Sequence, residues 1–594
     1  MLKVNPKDKR VLLKAALGLV KSDLCLVNAK LVNVFTGEVY PADVYVKYGF
    51  IAHIEDKPEN MGLEKAKELA ESIYDVAGRY LIPGLVDSHM HIESSMMTPR
   101  NLAKAIIPNG TTTIIHDPHE LGNVYGVEGV KYMHDAGADL PMRQLVDIPS
   151  CVPAVPGCEN AGATFMTDEI NELAKLDRVV GLAEVMDLYG VINGEDRMMD
   201  IIQAVKDKGM YIQGHAPRFG GRNLSAYLIG GPSTCHETTV SEEALDKLRN
   251  GMYVDARESS ISKNVSAIWE GIKDCKFFDT LTLCTDDRES DDLLNVGHLN
   301  AVVRKAIEVG MDPVAAIKSA SINTAREIGM EHIGAIAPGY AADMSIVSEL
   351  EKVDVDEVFF GGKLVAKGGK MVEKIADKPF EIETRNSMNV GHLTVDDFRI
   401  KAPIQNGEVT VNVLSYVDKK SVYTKLSVEK FKVVDGELQL PENVMFAAVV
   451  NRYGKGTRTV HVVRNFGLET GAVASTVSHD SHNLTIVFDK PENAFAAAEE
   501  LVKVGGGMTA VDNGKVLGTL ALEVGGLMTH LEAAELSVKA DEMKKIEASL
   551  GLREFENPLL RIVTMALPVA PEVKLSDLGL IEVATKKIIP LFAE

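Results

Sequence analysis

Residues 81–93 read LIPGLVDSHMHIE, an apolar run that ends on a His-x-His pair. In an extended strand, residues two apart point to the same side. His89 and His91 therefore leave the strand together at its C-terminal end, with Asp87 in register beneath them. Two imidazole nitrogens on a stiff element suit a divalent transition metal. Alone, such a pair reads equally well as one solvent-facing and one core histidine. The decision rests on where the rest of the chain puts its polar groups.

Working outward, short apolar runs alternate with helical segments, the pattern of a parallel sheet. Eight strands are expected, near 81–86, 111–115, 144–148, 179–184, 211–214, 233–235, 252–256 and 280–284. Eight such units over about 250 residues predict a (β/α)8 TIM-like barrel in an α/β fold, with its site at the C-terminal strand ends. A doubly wound open sheet is the alternative, but no Gly-x-Gly-x-x-Gly follows the first strand. Groups able to bind metal fall at the strand ends: His89 and His91 on the first, Glu184 on the fourth, His215 on the fifth, His236 on the sixth and Asp286 on the eighth. One alone reads as a rim residue; six in barrel order read as a converging set. Two nearby cations repel, so a carboxylate or hydroxide must bridge them while histidines hold the outer positions.

The flanks divide differently. Residues 23–38 and 43–54 alternate apolar and polar side chains as a β-meander, and 343–347, 355–358 and 361–365 repeat the pattern far downstream. Both stretches are expected to pair in a small split β-sandwich domain, with residues 1–80 and 336–384 enclosing a barrel at 81–335. From about residue 385 the pattern changes to strands near 409–414, 445–450, 460–463 and 484–488, with helices near 494–502 and 532–547. Residues 385–594 thus read as an additional C-terminal α/β domain. At the N-terminus Lys3, Lys7, Lys9 and Arg10 precede an apolar run at 11–20. Lys14 interrupts that run and no small-x-small cleavage site follows, so an amphipathic surface helix is expected rather than a signal peptide.

The chain has 594 residues, 46% of them hydrophobic, with 63 basic against 85 acidic side chains and a net charge of -22. That balance opposes nonspecific attraction to nucleic acid or an anionic membrane, and no apolar run reaches the length of a spanning helix. The six cysteines are scattered without a Cys-x-x-Cys pair, which fits a reduced cytoplasmic protein rather than a disulfide framework.

The order His-x-His, acidic bridge, His, His, Asp on eight strands resembles the amidohydrolase superfamily, as does a β-domain split around a barrel. Within it, PGLVDSHMHIESSM (83–96), HDPHE (116–120), LCTDD (283–287) and ASTVSHDSHN (474–483) look like adenine deaminases of the bacterial type, from about residue 22 to the C-terminus. The resemblance implies hydrolytic deamination of adenine to hypoxanthine and ammonia in purine salvage. It implies a binuclear divalent centre, with Mn2+ or Fe2+ favoured and Zn2+ possible, since donor spacing alone does not choose. His89 and His91 would hold the more buried ion and His215 and His236 the second. Glu184 would bridge where several relatives use a carbamylated lysine. Asp286 would bind the first ion and move protons. A hydroxide between the ions would attack adenine C6, and an acid, for which Glu120 beside His119 is the candidate, would protonate ring N1. His479, Asp480 and His482 would roof the barrel mouth and touch substrate, or bind another ion; a turn capping the strand is the plainer reading. The expected catalytic groups are thus Asp286, Glu120 and Glu184, and the expected base contacts His119, Glu120, His479, Asp480 and His482. A dimer is the default assembly.

Two other readings stay open. One is a hydrolase of cyclic amides, of the dihydropyrimidinase or dihydroorotase kind, although these generally carry the bridging lysine and lack the last 200 residues. The other is a noncatalytic binding protein on a disabled barrel, which would predict lost ligands. The Cys-based cytidine-type deaminases are excluded by the missing Cys-x-x-Cys. Gly505–Gly507 lack a Walker spacing and read as a bend. Cys235 and Cys284 read as packed thiols, Trp269 as helix packing, and His134, His298, His332 and His530 carry no partner pattern.

Overall fold

The computed structural model describes residues 6–593. It corrects the reading of the decisive stretch: what the sequence presents as one strand is two, Tyr80–Pro83 and Leu85–Met90, in different sheets. Pro83 offers no N–H to continue a ladder, and at Gly84 the backbone comes so close to the next strand that a Cβ would sit 2.3 Å from Thr112 Oγ1. The chain changes partners there, Gly84 N donating to Asp343 O and Leu85 N to Gly110 O. His89 and His91 are thereby tied to both sheets.

Tyr80–Pro83 lies antiparallel to Met344–Val347 and parallel to Ser22–Val32. The two distant β-stretches therefore pair as expected. They form one continuous nine-stranded sheet rather than two hydrogen-bonded layers. Its halves share a core, in which Leu26, Val44 and Ile51 pack with Ala342, Met344 and Phe359. The N-terminal helix spans Pro6–Ala16 and ends before the apolar run does; Leu13 on it, and Leu17 and Leu19 beyond it, are exposed. Lys3 lies outside the described residues.

Leu85–Met90 opens a run of parallel strands in which the other seven stand within one residue of their expected ends. Five form one sheet, from Leu85–Met90 through Thr111–His116, Arg143–Ile148 and Val179–Val185 to Tyr211–Gly214. Three form a second, Thr234–Cys235, Tyr253–Arg257 and Leu281–Cys284. Hydrogen bonds cross both seams: Ser233 N to Ile212 O at 3.0 Å, and Asp286 N to His89 O at 3.0 Å. All eight strands end on the same side, because all eight run parallel.

The C-terminal part contains a second nine-stranded sheet, with Gly407–Tyr416, Val444–Val450, Arg458–Arg464 and Leu484–Phe488 where the pattern put them. Helix Pro491–Val504 covers one face through Ala494, Ala498 and Leu501. It stops at Gly505, whose left-handed φ of 86° closes the helix; the glycine run is a bend. The other face packs on helix Ala533–Ser549 and continues into a core that includes Met90, Leu121 and Leu527. That shared core sets the loop between Ala472–Ser475 and Leu484–Phe488 against the parallel strand ends. Among the described residues, no helix is long and apolar enough to cross a membrane.

Candidate metal centre and active site

All six strand-end groups converge. Glu184 stands at their middle, 3% exposed, and its two oxygens face different histidines. Oε1 lies 3.5 Å from His91 Nε2, while Oε2 lies 2.6 Å from His215 Nδ1 and 3.1 Å from His236 Nε2. Asp286 closes the other side, its Oδ1 lying 3.5 Å from His89 Nε2 and 3.4 Å from His91 Nε2. Asp286 has a φ of 55°, an uncommon and costly conformation for a non-glycine residue. Its backbone bond to His89 holds it there.

His89 and His91 are aimed by their far nitrogens. His89 Nδ1 lies 2.7 Å from Gln213 Oε1, and His91 Nδ1 lies 3.1 Å from Asp117 O. Each therefore donates from Nδ1 and keeps the Nε2 lone pair for the centre. His89 Nε2 is buried and has no hydrogen-bond partner, which in a polar interior signals a group awaiting a ligand. The His236 ring stacks on that of His89 at 3.9 Å. Among the described residues His89, His91 and Asp286 form one set able to hold a cation, and His89, Glu184 and His236 another. A donor set of neutral imidazoles and carboxylates fits divalent transition metals.

Burial would raise both central carboxyls, yet both are held well below their usual range. His215 and then His236 do this for Glu184; Arg257, then His89 and His91, do it for Asp286. Arg257 is a residue that no local motif announced. It contacts Asp286 Oδ2 through Nη1 and grips Glu237 with Nη1 and Nη2 at 2.6 and 2.9 Å. Gln213 and Asp117 were likewise missed; the only local hint was an aspartate two residues before His119.

A cavity of about 210 Å³ opens on this centre, below the ~300 Å³ at which pockets begin to hold drug-sized ligands. His119, His479 and Asp480 line it, together with Asp287, Tyr423 and Lys574. Lys574 is 1% exposed and donates to Thr564 O at 2.9 Å; burial, then Arg561, pushes its amine down to about 7. Glu120 and His482 are not on the cavity wall. They sit one layer behind it, fully buried, with His482 Nε2 3.6 Å from Glu120 Oε2. His482 Nδ1 accepts from Ser478 N at 3.2 Å, so the neutral ring carries its proton on Nε2 and offers no lone pair to an ion.

The 474–483 segment is neither a solvated turn nor a loose cap. Arg452 reaches under it to His482 O and to Gly525 O, and Asn483 Nδ2 donates to Asn160 O at 2.8 Å. The HDPHE stretch is buried too, with His119 and Glu120 opening helix His119–Tyr125. Ser94 Oγ lies 2.9 Å from Glu120 Oε1 and 2.6 Å from Asp287 Oδ1. A hydroxyl has one proton to give, so one of those carboxyls must donate in return. Asp287 is raised by burial and by Asp286.

Two of the histidines without a partner pattern in the sequence have structural partners. His134 binds Asp135 and Asp177, and His298 binds Thr111 and Thr285 beneath Asp87. Cys235 is buried against Lys247 Nζ at 3.1 Å, and Trp269 packs on Phe278.

Residues 80–365 match the amidohydrolase family, and residues 421–587 match the adenine deaminase C-terminal domain. An adenine deaminase of Moorella thermoacetica is 37% identical over 589 residues, covering 98% of both chains. That of Clostridium acetobutylicum is 35% identical over 581 residues, covering 97% of this chain and 99% of its own. One from Methanothrix thermoacetophila is 37% identical over 589 residues, covering 98% of this chain and 99% of its own. Identity sustained through both halves, on top of the converging centre and its C-terminal roof, means that the chain belongs to the adenine deaminase family of amidohydrolases.

Proposed function

We propose that this protein deaminates adenine hydrolytically, giving hypoxanthine and ammonia. The observation that carries the reading is Glu184, one carboxylate presenting separate oxygens to separate histidines inside a chain related over its full length to adenine deaminases. Cyclic-amide hydrolysis is not favoured, because Glu184 stands at the bridging position and the C-terminal domain is the adenine deaminase one.

His89, His91 and Asp286 would hold one divalent ion and His215 and His236 the other, with Glu184 between them. Mn2+ or Fe2+ is favoured and Zn2+ is possible. Such ions, when bound, acidify water and neutralise charge developing on the substrate. Asp286, fixed by Arg257, takes the proton of the attacking water and passes it to the amine, since ammonia leaves far more readily than amide ion. Glu120 supplies a proton for ring N1 by way of Ser94 and Asp287, the last of which reaches the cavity. His119, His479 and Asp480 contact the base, and His482 orients Glu120. Excluding bulk water strengthens each of these contacts.

The eight parallel strands close into a barrel in this reading, supported by the hydrogen bonds across both seams. Residues 81–335 form that barrel, 1–80 and 336–384 the split β-domain, and 385–594 the roof-bearing domain. A cytoplasmic protein fits the scattered cysteines, a homodimer is the default for a large soluble enzyme, and purine salvage follows from the likeness to adenine deaminases. The test is adenine absorbance with and without chelator, after metal analysis. Metal-dependent loss of adenine supports the reading; ammonia release from the metal-free protein, or dihydroorotate turnover without adenine turnover, overturns it.

A further inference from the structure

Cys151 follows the third parallel strand, Arg143–Ile148, and has no part in the chemistry above. Its side chain, with those of His119 and Asp480, brings one donor atom from each of three separate segments within 4.8 Å of the others. The three residues are 3%, 2% and 3% exposed. His119 Nδ1 lies 3.0 Å from Asp117 Oδ2, and its Nε2, 3.5 Å from Asp480 Oδ1, has no hydrogen-bond partner. Asp480 Oδ2 is also buried and unpartnered. Buried polar atoms without partners are costly. A histidine whose far nitrogen is held by a carboxylate is the arrangement that aims an imidazole at a metal.

We propose that Cys151, His119 and Asp480 form a third cation site beside the paired centre, whose Glu184 Oε1 lies 3.7 Å from His119 Nδ1, and that it takes a thiophilic ion such as Zn2+ in preference to Mn2+. Sulfur, nitrogen and oxygen from three protein groups leave one tetrahedral position open. A thiolate ligand favours zinc or cobalt over the harder manganese, and binding releases the thiol proton to solvent. His119 and Asp480 face the substrate cavity, so an ion held there withdraws two base contacts and inhibits. The inhibitory consequence rests on the deaminase reading; the binding itself does not.

The test uses the full-length protein loaded with two Mn2+ per chain and then dialysed against Zn2+ or Co2+. The expected result is a third equivalent of metal and, with Co2+, a thiolate-to-cobalt charge-transfer band. Cys151→Ser and Cys151→Ala should lose both while keeping basal adenine turnover and the two Mn2+. Their resistance to added Zn2+ should rise by at least the ~10–100-fold that losing a supporting contact costs a metal site. Metal that only exchanges with Mn2+, at a total of two per chain, would overturn the proposal, as would a third equivalent that survives Cys151→Ser or shows no thiolate band. Should no variant turn adenine over, the stoichiometry and the band still decide the site, and only the deaminase reading fails.

Discussion

Gln213→Leu isolates the support of the metal centre from the centre itself. Gln213 is fully buried; its Oε1 lies 2.7 Å from His89 Nδ1 and its Nε2 donates to Ser88 O at 3.0 Å. Leucine fills nearly the same volume and makes neither contact. The His89 N–H and the Ser88 carbonyl then stand unpaired in the interior, at about 1–3 kcal/mol for each unsatisfied group. The ring can relieve its share by moving its proton to Nε2, which removes the lone pair the centre needs. Metal affinity should fall about 10–100-fold, equivalent to about 1.4–2.8 kcal/mol. Calorimetric titration of the metal-free protein with Mn2+ reads this directly, with thermal unfolding measured in parallel. Gln213→Glu keeps the acceptor for Nδ1 and should retain most of the affinity. Wild-type affinity and turnover in Gln213→Leu would refute the argument that His89 is aimed from behind.

Three further outcomes follow from the same geometry. Glu184→Gln leaves one carbonyl oxygen where two carboxylate oxygens stood; metal content should drop from two ions per chain to one or none and turnover should vanish, with the circular dichroism spectrum unchanged. Arg257→Met strands Asp286 and Glu237 without their cation, a loss on the order of 3–5 kcal/mol, seen as a lowered unfolding temperature and lost activity. Arg257→Lys should recover only part, because an ammonium cannot present the planar fork. His461, 2% exposed, is pushed down to about 4 by burial. The unfolded chain therefore binds its proton first. Stability from this group is present above pH ~6.5 and lost as pH falls through 4, on the order of 3 kcal/mol. His461→Phe should flatten the stability curve across that window, and an unchanged slope would contradict the assignment.

The strand ends were legible because a parallel strand buried on both faces writes itself as an unbroken apolar run, and at the ends of the first, fourth, fifth, sixth and eighth strands a polar residue reaches the centre. His89, His91, Glu184, His215, His236 and Asp286 all surface this way. Arg257 ends the strand Tyr253–Arg257 and Gln213 lies within Tyr211–Gly214, yet their roles depend on which strands face each other across the centre, which leaves no local signature. The break at Gly84 was hidden for a related reason: nothing in PGLV tells that Thr112 lies against it. Lys574 and Tyr423 reach the cavity wall from the far end of the chain, placed by docking of the C-terminal sheet rather than by any motif. Ser478–Asn483 announced chemistry by composition, yet only the structure separates His479 and Asp480 on the wall from His482 behind it.

The central claim is that Glu184 joins two metal sites. A crystal structure of the Mn2+-loaded protein, with the ions located by anomalous scattering, tests it most directly. Two ions should appear, one beside His89, His91 and Asp286 and one beside His215 and His236, each touching a different oxygen of Glu184. A single ion, or a pair with Glu184 turned away from both, would contradict the account.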